Sequence, residues 1–203
     1  MGNTAALGGT RLPTLLGIHG SVTRPGRLYQ ALELALQAVG NGDNPVTTSL
    51  LHLGEHRISF ADGRPLSDFS DDTEAVVERV MAADMYIIAT PIFRASFTGA
   101  LKNLLDLVPV EGLMGKACGL LAMGATDHHY LTVDTQLRPV LAWFGAHLVP
   151  GAVYLQSRHF QDGQLADAQA ITDLQSLAKA VVAMQRAIAD NAGMMGPSPL
   201  PAG

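Results

Sequence analysis

The sequence predicts a doubly wound α/β domain built on a five-stranded parallel sheet. Five short apolar runs are separated by longer stretches whose apolar residues recur every three or four positions, the alternation of strand and crossover helix. The short runs are apolar at nearly every position, as strands covered on both faces are. With 203 residues, 48% hydrophobic and 15% charged, the chain suffices for one sizeable core and would be cramped as two full domains.

The first strand is TLLGIH at 14–19, closed by the turn residues Gly20-Ser21. Leu28, Leu32, Ala35, Leu36 and Val39 share one face of a helix that Gly40-Asn41-Gly42 stops. VTTSLLHL at 46–53 is β-prone and makes the second strand, and GEHRISFADGRPLSD at 54–68 has no helical stripe and reads as a loop. Asp71-Asp72 open an acid-first helix reaching Met81, with Ala75, Val76, Val80 and Met81 on its apolar face. The third strand, MYIIAT at 85–90, ends at Pro91, and a helix follows over 98–107. KACGLLAM at 116–123 is the fourth strand, 133–144 a helix despite Pro139, 147–155 the fifth strand, and 165–190 the last helix. Gly, Thr and Pro at the two ends predict flexible tails over 1–13 and 191–203 around a domain at 14–190.

Composition excludes several functional classes. The net charge is -5 and no cluster of four or more basic residues occurs, which leaves a nucleic-acid or anionic-membrane surface little to stand on. Cys118 is the sole cysteine, so there is no disulfide framework and no CxxC metal knuckle. No secretory h-region and no run of 18 apolar residues is present, and a cytoplasmic protein is expected.

In doubly wound sheets ligands bind beyond the carboxyl ends of the strands, and three unusual junctions fall there. In HGSVTRPGR at 19–27, the hydroxyls of Ser21 and Thr23, the N–H groups before a helix, and the charges of Arg24 and Arg27 suit a phosphate. The stretch lacks both GxGxxG and the GK[ST] ending, which argues against a dinucleotide fingerprint or an ATPase. An ordinary strand-to-helix turn explains it equally. In TPIFRASFTGALKNLLDL at 90–107, Pro91 fixes its own φ, Ile92 and Phe93 offer an apolar surface, and the N–H groups from Phe93 to Ser96 are expected free for a polar ring edge. Taken alone, this segment is explained by core packing and a helix cap. In AMGATDHH at 122–129, Gly124 lets the turn form and Thr126 and Asp127 can cap or bind, while His128 and His129 lack partners at ligand spacing. HExxH and GxSxG are absent, and Asp106 and Asp134 read as solvated acids. Leu101, Leu104, Leu105 and Leu107 exceed what one helix face needs, which predicts burial of part of that helix against another subunit.

GSVTRPGR at 20–27, TPIFRASFTGALKNLLDLVP at 90–109 and GKACGLLAMGATDHHYLTVDTQLRPVL at 115–141 together resemble the flavodoxin-like NAD(P)H-dependent FMN reductases. The nearest branch is the one that supplies reduced flavin to two-component monooxygenases in alkanesulfonate and related organosulfur degradation. The likeness runs from about Leu15 to Leu155. It implies a flavodoxin-like sheet, FMN with NADPH or NADH as hydride donor, a homodimer or dimer of dimers with flavin sites beside its interfaces, and a flavin-dependent monooxygenase as partner. It further implies that Ser21, Thr23, Arg24 and Arg27 meet the FMN phosphate. Pro91, Ile92, Phe93, Arg94 and Ala95 would lie along the isoalloxazine, and Gly124, Ala125 and Thr126 beneath its pyrimidine side. Lys102 and Asp106 would belong to an interface-facing helix rather than to acid–base chemistry.

Three departures from the family pattern bear on that implication. Gly26 and Leu28 stand where the family often has Ser or Thr, so the arginines carry more of the phosphate. Ala125 follows Gly124 where Gly-Gly is common, and a positive φ there would be strained. Thr135 follows Val133-Asp134 where the nearest branch often inserts an aromatic residue, associated in that branch with a π-helical bulge at the tetramer interface and with flavin acting as a substrate. The same fold also hosts tightly flavinated quinone, azo or metal-ion reductases, and non-catalytic electron-transfer or redox-responsive binding modules.

Overall fold

Strands β1 (Thr14–His19), β2 (Thr47–His52), β3 (Met85–Pro91) and β4 (Ala117–Met123) run parallel in the order β2-β1-β3-β4. The fifth position, beside β4, is filled by two short pieces, β5 (His147–Leu148) and β6 (Val153–Leu155). The computed structural model describes residues 11–40 and 46–196. Of the tails expected at 1–13 and 191–203, residues 1–10 and 197–203 lie outside those residues, as does the helix stop at Asn41-Gly42, while Ala192–Met195 form a 3-10 turn. This is the predicted doubly wound, flavodoxin-like α/β architecture with its five-position parallel sheet.

Side chains alternate across the sheet and build two cores. Leu15, Met85, Ile87, Ala89 and Leu121 face α1 (Arg27–Gly40) and α5 (Ala168–Asp190). Leu16, Ile18, Tyr86, Ile88 and Leu120 face α2 (Thr73–Ala82), α3 (Gly99–Leu107) and α4 (Arg138–Trp143). Each fully buried Leu or Ile contributes about 1.5–3 kcal/mol relative to exposure, so the strands need both helical layers. Leu28, Leu32, Ala35, Leu36 and Val39 all turn inward on α1, as their spacing predicts.

Four segments differ from the sequence expectation, each for a local reason. The fifth strand is interrupted at 149–152, where Pro150 has no N–H for the ladder and the Arg138 guanidinium takes the carbonyls of Val149 and Pro150, each at 3.0 Å. The last helix starts at Ala168, with Asp167 as its cap through a 2.8 Å bond from the Ala170 N–H. Leu165 lies instead in a hairpin, β7 (Phe160–Gln161) and β8 (Gln164–Leu165), around Asp162-Gly163 at φ 50° and 81°. The region 133–144 begins as a π-helical turn over Val133–Leu137, in which the Arg138 N–H reaches the Val133 carbonyl, and becomes α-helical only at Arg138. The wide turn therefore forms with Thr135 in place of the aromatic residue. It ends beside Pro139, whose ring would clash with the carbonyl four residues earlier in a regular helix.

The expected leucine surplus on α3 is not there. Leu101, Leu104 and Leu105 are buried in the chain's own second core together with residues of the sheet and of α4, and Leu107 packs partly buried against it. The exposed large apolar group in this region is Trp143 on α4, with 65% of its surface accessible. No helix among the described residues is long and apolar enough to cross a membrane.

Candidate functional site

β1 and β3 are neighbours in the sheet although β2 lies between them in sequence, so their carboxyl-terminal loops part at the switch point of the fold. The two loops are bonded to each other as they leave. The Gly20 N–H donates to the Ala89 carbonyl at 2.7 Å, and the Thr98 hydroxyl donates to the Gly20 carbonyl while accepting from the Leu101 N–H at 3.1 Å. Thr98 is thus both the N-cap of α3 and the clasp between the first two junctions. A Cβ on Gly20 would stand 3.0 Å from Leu101 Cβ and 3.1 Å from the Ala89 carbonyl oxygen, which is why this crossing point has none.

Beside the clasp lies a cleft of about 250 Å³ lined by His19, Ser21, Thr23, Arg24, Arg27, Pro91 and Met123, with Gly26 and Leu28 completing it. The structure brings together all four residues expected at a phosphate. Ser21 Oγ and Thr23 Oγ1 are 2.9 Å apart, and the Thr23 N–H donates to Ser21 Oγ at 3.2 Å, an ST-turn that folds the loop over itself. Arg24 has no ion-pair partner among the described residues. Arg27 donates to Ser157 Oγ at 2.8 Å and lies 5.7 Å over the Phe160 ring, so the segment after β6 holds its guanidinium at the rim. The first turn of α1 opens directly from this loop, which adds the positive end of a helix dipole.

The second junction is a tight turn. Phe93 and Ser96 exchange N–H to carbonyl bonds at 3.0 and 3.2 Å, and between them Arg94 and Ala95 hold φ of 52° and 60°. Positive φ at both central positions defines a primed turn, which usually takes Asn-Gly; each non-glycine residue there costs about 1–2 kcal/mol. Two of the four N–H groups expected to be free are consumed in this bridge. Those of Arg94 and Ala95 have no backbone partner among the described residues and point away from the turn's own bonding. The side chain of Ile92 is buried in the second core, so only its backbone is available beyond the sheet, whereas Phe93 is 56% exposed.

The third junction is tied to the second through the Ile92 N–H, which donates to the Met123 carbonyl at 2.8 Å. Gly124, Ala125 and Thr126 continue from there, outside the lining of the cleft itself. Ala125 does not adopt a positive φ, so the anticipated strain falls on Arg94-Ala95 instead. Gly124 has another reason to lack a side chain: a Cβ would overlap Tyr154 Oη and come within 2.9 Å of Cζ. That hydroxyl donates to the Thr126 carbonyl at 2.6 Å and pins the loop. Asp127 makes two bonds to Arg158, at 2.8 and 3.1 Å, which hold its carboxyl below the usual range.

Other ionisable groups are structural. Asp106 pairs with Lys102 and Asp134 with Arg138, each four residues away along the chain. Burial pushes the Cys118 thiol far up, which leaves no thiolate for chemistry. Sequence reasoning passed over the groups behind the phosphate loop. His19 and His52 are buried with their Nδ1 atoms 2.9 Å apart, and Tyr29 meets both rings edge-on. Two histidines ending two otherwise apolar strands were the available signal.

Residues 13–160 match the family model described as NADPH-dependent FMN reductase. The chain belongs to that family. A curated NAD(P)H-dependent FAD/FMN reductase from Geobacillus thermodenitrificans is 42% identical over 140 residues, covering 68% of this chain and 76% of the relative. The NADH-dependent FMN reductase SfnF of Pseudomonas fluorescens is 31% identical over 151 residues, covering 74% and 80%. Among solved structures, the apo form of NADH:FMN oxidoreductase EMOB superposes with a TM-score of 0.68 at 27% identity, over 94% of this chain and 97% of that one. Membership makes this a flavin reductase of flavodoxin-like fold, and the donors found at the switch point fit a phosphorylated flavin. Two hydroxyls, two arginines and a helix start converge on this cleft, next to a turn that presents two N–H groups without backbone partners beside an exposed aromatic ring.

Proposed function

We propose that the protein reduces FMN with NADPH or NADH and delivers the reduced flavin to a flavin-dependent monooxygenase. The observation that carries this reading is the coincidence, at one switch point, of the Ser21-Thr23-Arg24-Arg27 cleft and the strained Arg94-Ala95 turn. Ser21, Thr23, Arg24, Arg27 and the first turn of α1 would hold the phosphate. Pro91, the Ile92 backbone, Phe93, Arg94 and Ala95 would carry one edge of the ring system, and Gly124, Ala125 and Thr126 its pyrimidine side.

When bound, the flavin supplies the hydride chemistry, and the protein's part is position and electrostatics. The Arg94 and Ala95 N–H groups are fixed donors for ring acceptors, and they need no reorganisation because the Phe93–Ser96 bridge already holds them. Phe93 excludes water from the apolar part of the platform. No side chain at this site is placed as a nucleophile or general acid, and none is required. The similarity to NADH-dependent FMN reductases SfnF of Pseudomonas fluorescens and Pseudomonas putida supports FMN as what is reduced, and the π-helical turn at Val133–Leu137 supports flavin acting as a substrate.

The protein would work as a homodimer or dimer of dimers. A groove of about 590 Å³ between α3 and α4, lined by Leu105, Val108, Val140, Trp143 and Phe144 and flanked by the Lys102–Asp106 pair, supports that assembly. Steady-state oxidation of NADPH and NADH, each with and without FMN or FAD, tests the activity. Flavin-dependent turnover with FMN release on gel filtration is expected; no flavin-dependent turnover together with no flavin binding in equilibrium dialysis would refute it.

A further inference from the structure

The His19–His52 pair lies directly under the phosphate loop. His19 lines the cleft alongside Ser21, Thr23, Arg24 and Arg27, although only 3% of its surface is accessible. Its Nδ1 is 2.9 Å from His52 Nδ1, so a single proton lies between those two atoms. The Gly54 N–H also donates to His52 Nδ1, at 3.4 Å, which makes that atom the acceptor of both bonds. His19 Nδ1 is therefore the donor, and in the neutral ring Nε2 carries the lone pair. With Nδ1 engaged, Nε2 is the nitrogen left for the cleft.

A lone pair aimed at a phosphate site is repelled by phosphate oxygens. Protonating Nε2 reverses the interaction and leaves the Nδ1–H bond to His52 intact. We infer that His19 reads the flavin phosphate: a solvent proton taken up on Nε2 turns the ring from acceptor to donor toward a phosphomonoester in the cleft, linking FMN binding, but not riboflavin binding, to protonation. The inference rests on the flavin reading above.

The surroundings set the direction. Burial first, and His52 second, pull His19 down to about 4, so the ring is neutral at pH 7 while the cleft has no anion in it. Arg24, from the loop, and Arg27, at the start of α1, line the same cleft. Tyr29 from α1 packs against both rings and is itself flanked by Glu33 and by Glu55 of the turn after β2. A phosphate dianion is the one addition that both neutralises the arginines and favours an imidazolium.

The test is calorimetric titration of the full chain between pH 5 and 8, in buffers of different ionisation enthalpy, with FMN, riboflavin and adenosine 2′-phosphate. The last ligand carries the same phosphomonoester from the nicotinamide side. FMN itself ionises near pH 6, so the decisive quantity is the proton number of the unaltered chain minus that of His19→Asn, which keeps a donor for His52 and cannot titrate. Expected for FMN is an excess uptake approaching one proton, with log Kd rising by up to about one per pH unit where uptake occurs. Riboflavin and adenosine 2′-phosphate should show no excess. His19→Gln, with a fixed amide donor near the Nε2 position, should bind FMN without the excess. The imidazole 15N shifts of the unaltered chain decide the matter if either variant fails to fold: Nε2 should move from lone-pair to protonated values when FMN binds. FMN binding with equal proton numbers, or with Nε2 unprotonated even at pH 5, overturns the inference alone. Uptake with adenosine 2′-phosphate and not with FMN overturns it by assigning the cleft to the nicotinamide cofactor. Binding of neither flavin overturns the flavin reading as well.

Discussion

Gly124→Ala is the sharpest probe of the third loop. Gly124 has no positive φ, so the substitution adds no backbone strain and isolates the effect of one methyl group. That methyl would overlap Tyr154 Oη and approach Cζ to 2.9 Å and Cε2 to 3.2 Å, so the rigid ring must move as a body. Displacing it forfeits the bond to the Thr126 carbonyl, worth about 1 kcal/mol net, and crowding the ring adds about 1 kcal/mol at the lower end of overpacking costs. Because the Tyr154 ring is only partly buried and can swing toward solvent, the lower end applies, and a loss of about 2 kcal/mol is expected in urea unfolding. Tyr154→Ala removes both the clash and the bond, so in that background Gly124→Ala should cost under about 0.5 kcal/mol. A double-mutant cycle with additive effects, or a single Gly124→Ala variant as stable as the parent, would refute the account of this glycine.

His19 also predicts how stability depends on pH without flavin. Its folded value of about 4 lies below the ordinary 6.5, so between those values the unfolded chain binds more protons. Stability is therefore full above about pH 6.5 and falls as the pH drops toward 4, by at most about 3 kcal/mol and by about 2 once solvent in the cleft is allowed for. Urea midpoints between pH 7 and 4.5 should show that slope, and His19→Asn should flatten it; an unchanged slope would contradict a buried neutral ring. Arg27→Ala removes the bond to Ser157 and the contact with Phe160 along with a phosphate partner. FMN affinity should fall roughly ten- to hundredfold while riboflavin affinity holds, as fluorescence titration would read, and equal losses would deny Arg27 a phosphate role. For the α3–α4 groove, light scattering should give a dimer or larger species, and Trp143→Arg should shift it toward monomer; a parent monomeric at micromolar concentration rejects the assembly.

The sheet was legible because its signals are local and redundant. Leu15 and Leu16, or Ile87 and Ile88, fill opposite cores, and such runs read as two-sided strands without knowledge of their neighbours. The Asp162-Gly163 hairpin was equally local, since that dipeptide is a strong primed-turn signal, but its strands are only two residues each, too short for an alternating pattern to mark them. The split of the fifth strand was not legible from Pro150 alone, since it also depends on Arg138 reaching across to two carbonyls. The leucines of α3 misled for a similar reason: counting them against one helix face ignores the second layer that α4 provides.

The site divides along the same line. Ser21, Thr23, Arg24 and Arg27 are chemically apt in themselves, and three sit in one loop with the fourth opening α1 directly after it, so their gathering around a cleft follows from chain connectivity. The Arg94-Ala95 turn is the opposite case, because neither residue favours positive φ and no composition rule places them there. Their conformation is imposed from outside the turn. Ile92 is fixed by Met123, Thr98 by Gly20 and by the start of α3, and the Phe93–Ser96 bridge closes what remains. Strain of a few kcal/mol is sustained by anchors at the end of β4, in the loop after β1 and at the start of α3, and leaves two N–H groups without backbone partners at the point where β1 and β3 diverge. A turn made of Asn-Gly would take the same shape at less cost but with less need of those anchors. The tie to the sheet therefore makes the donor geometry a property of the whole fold rather than of the loop.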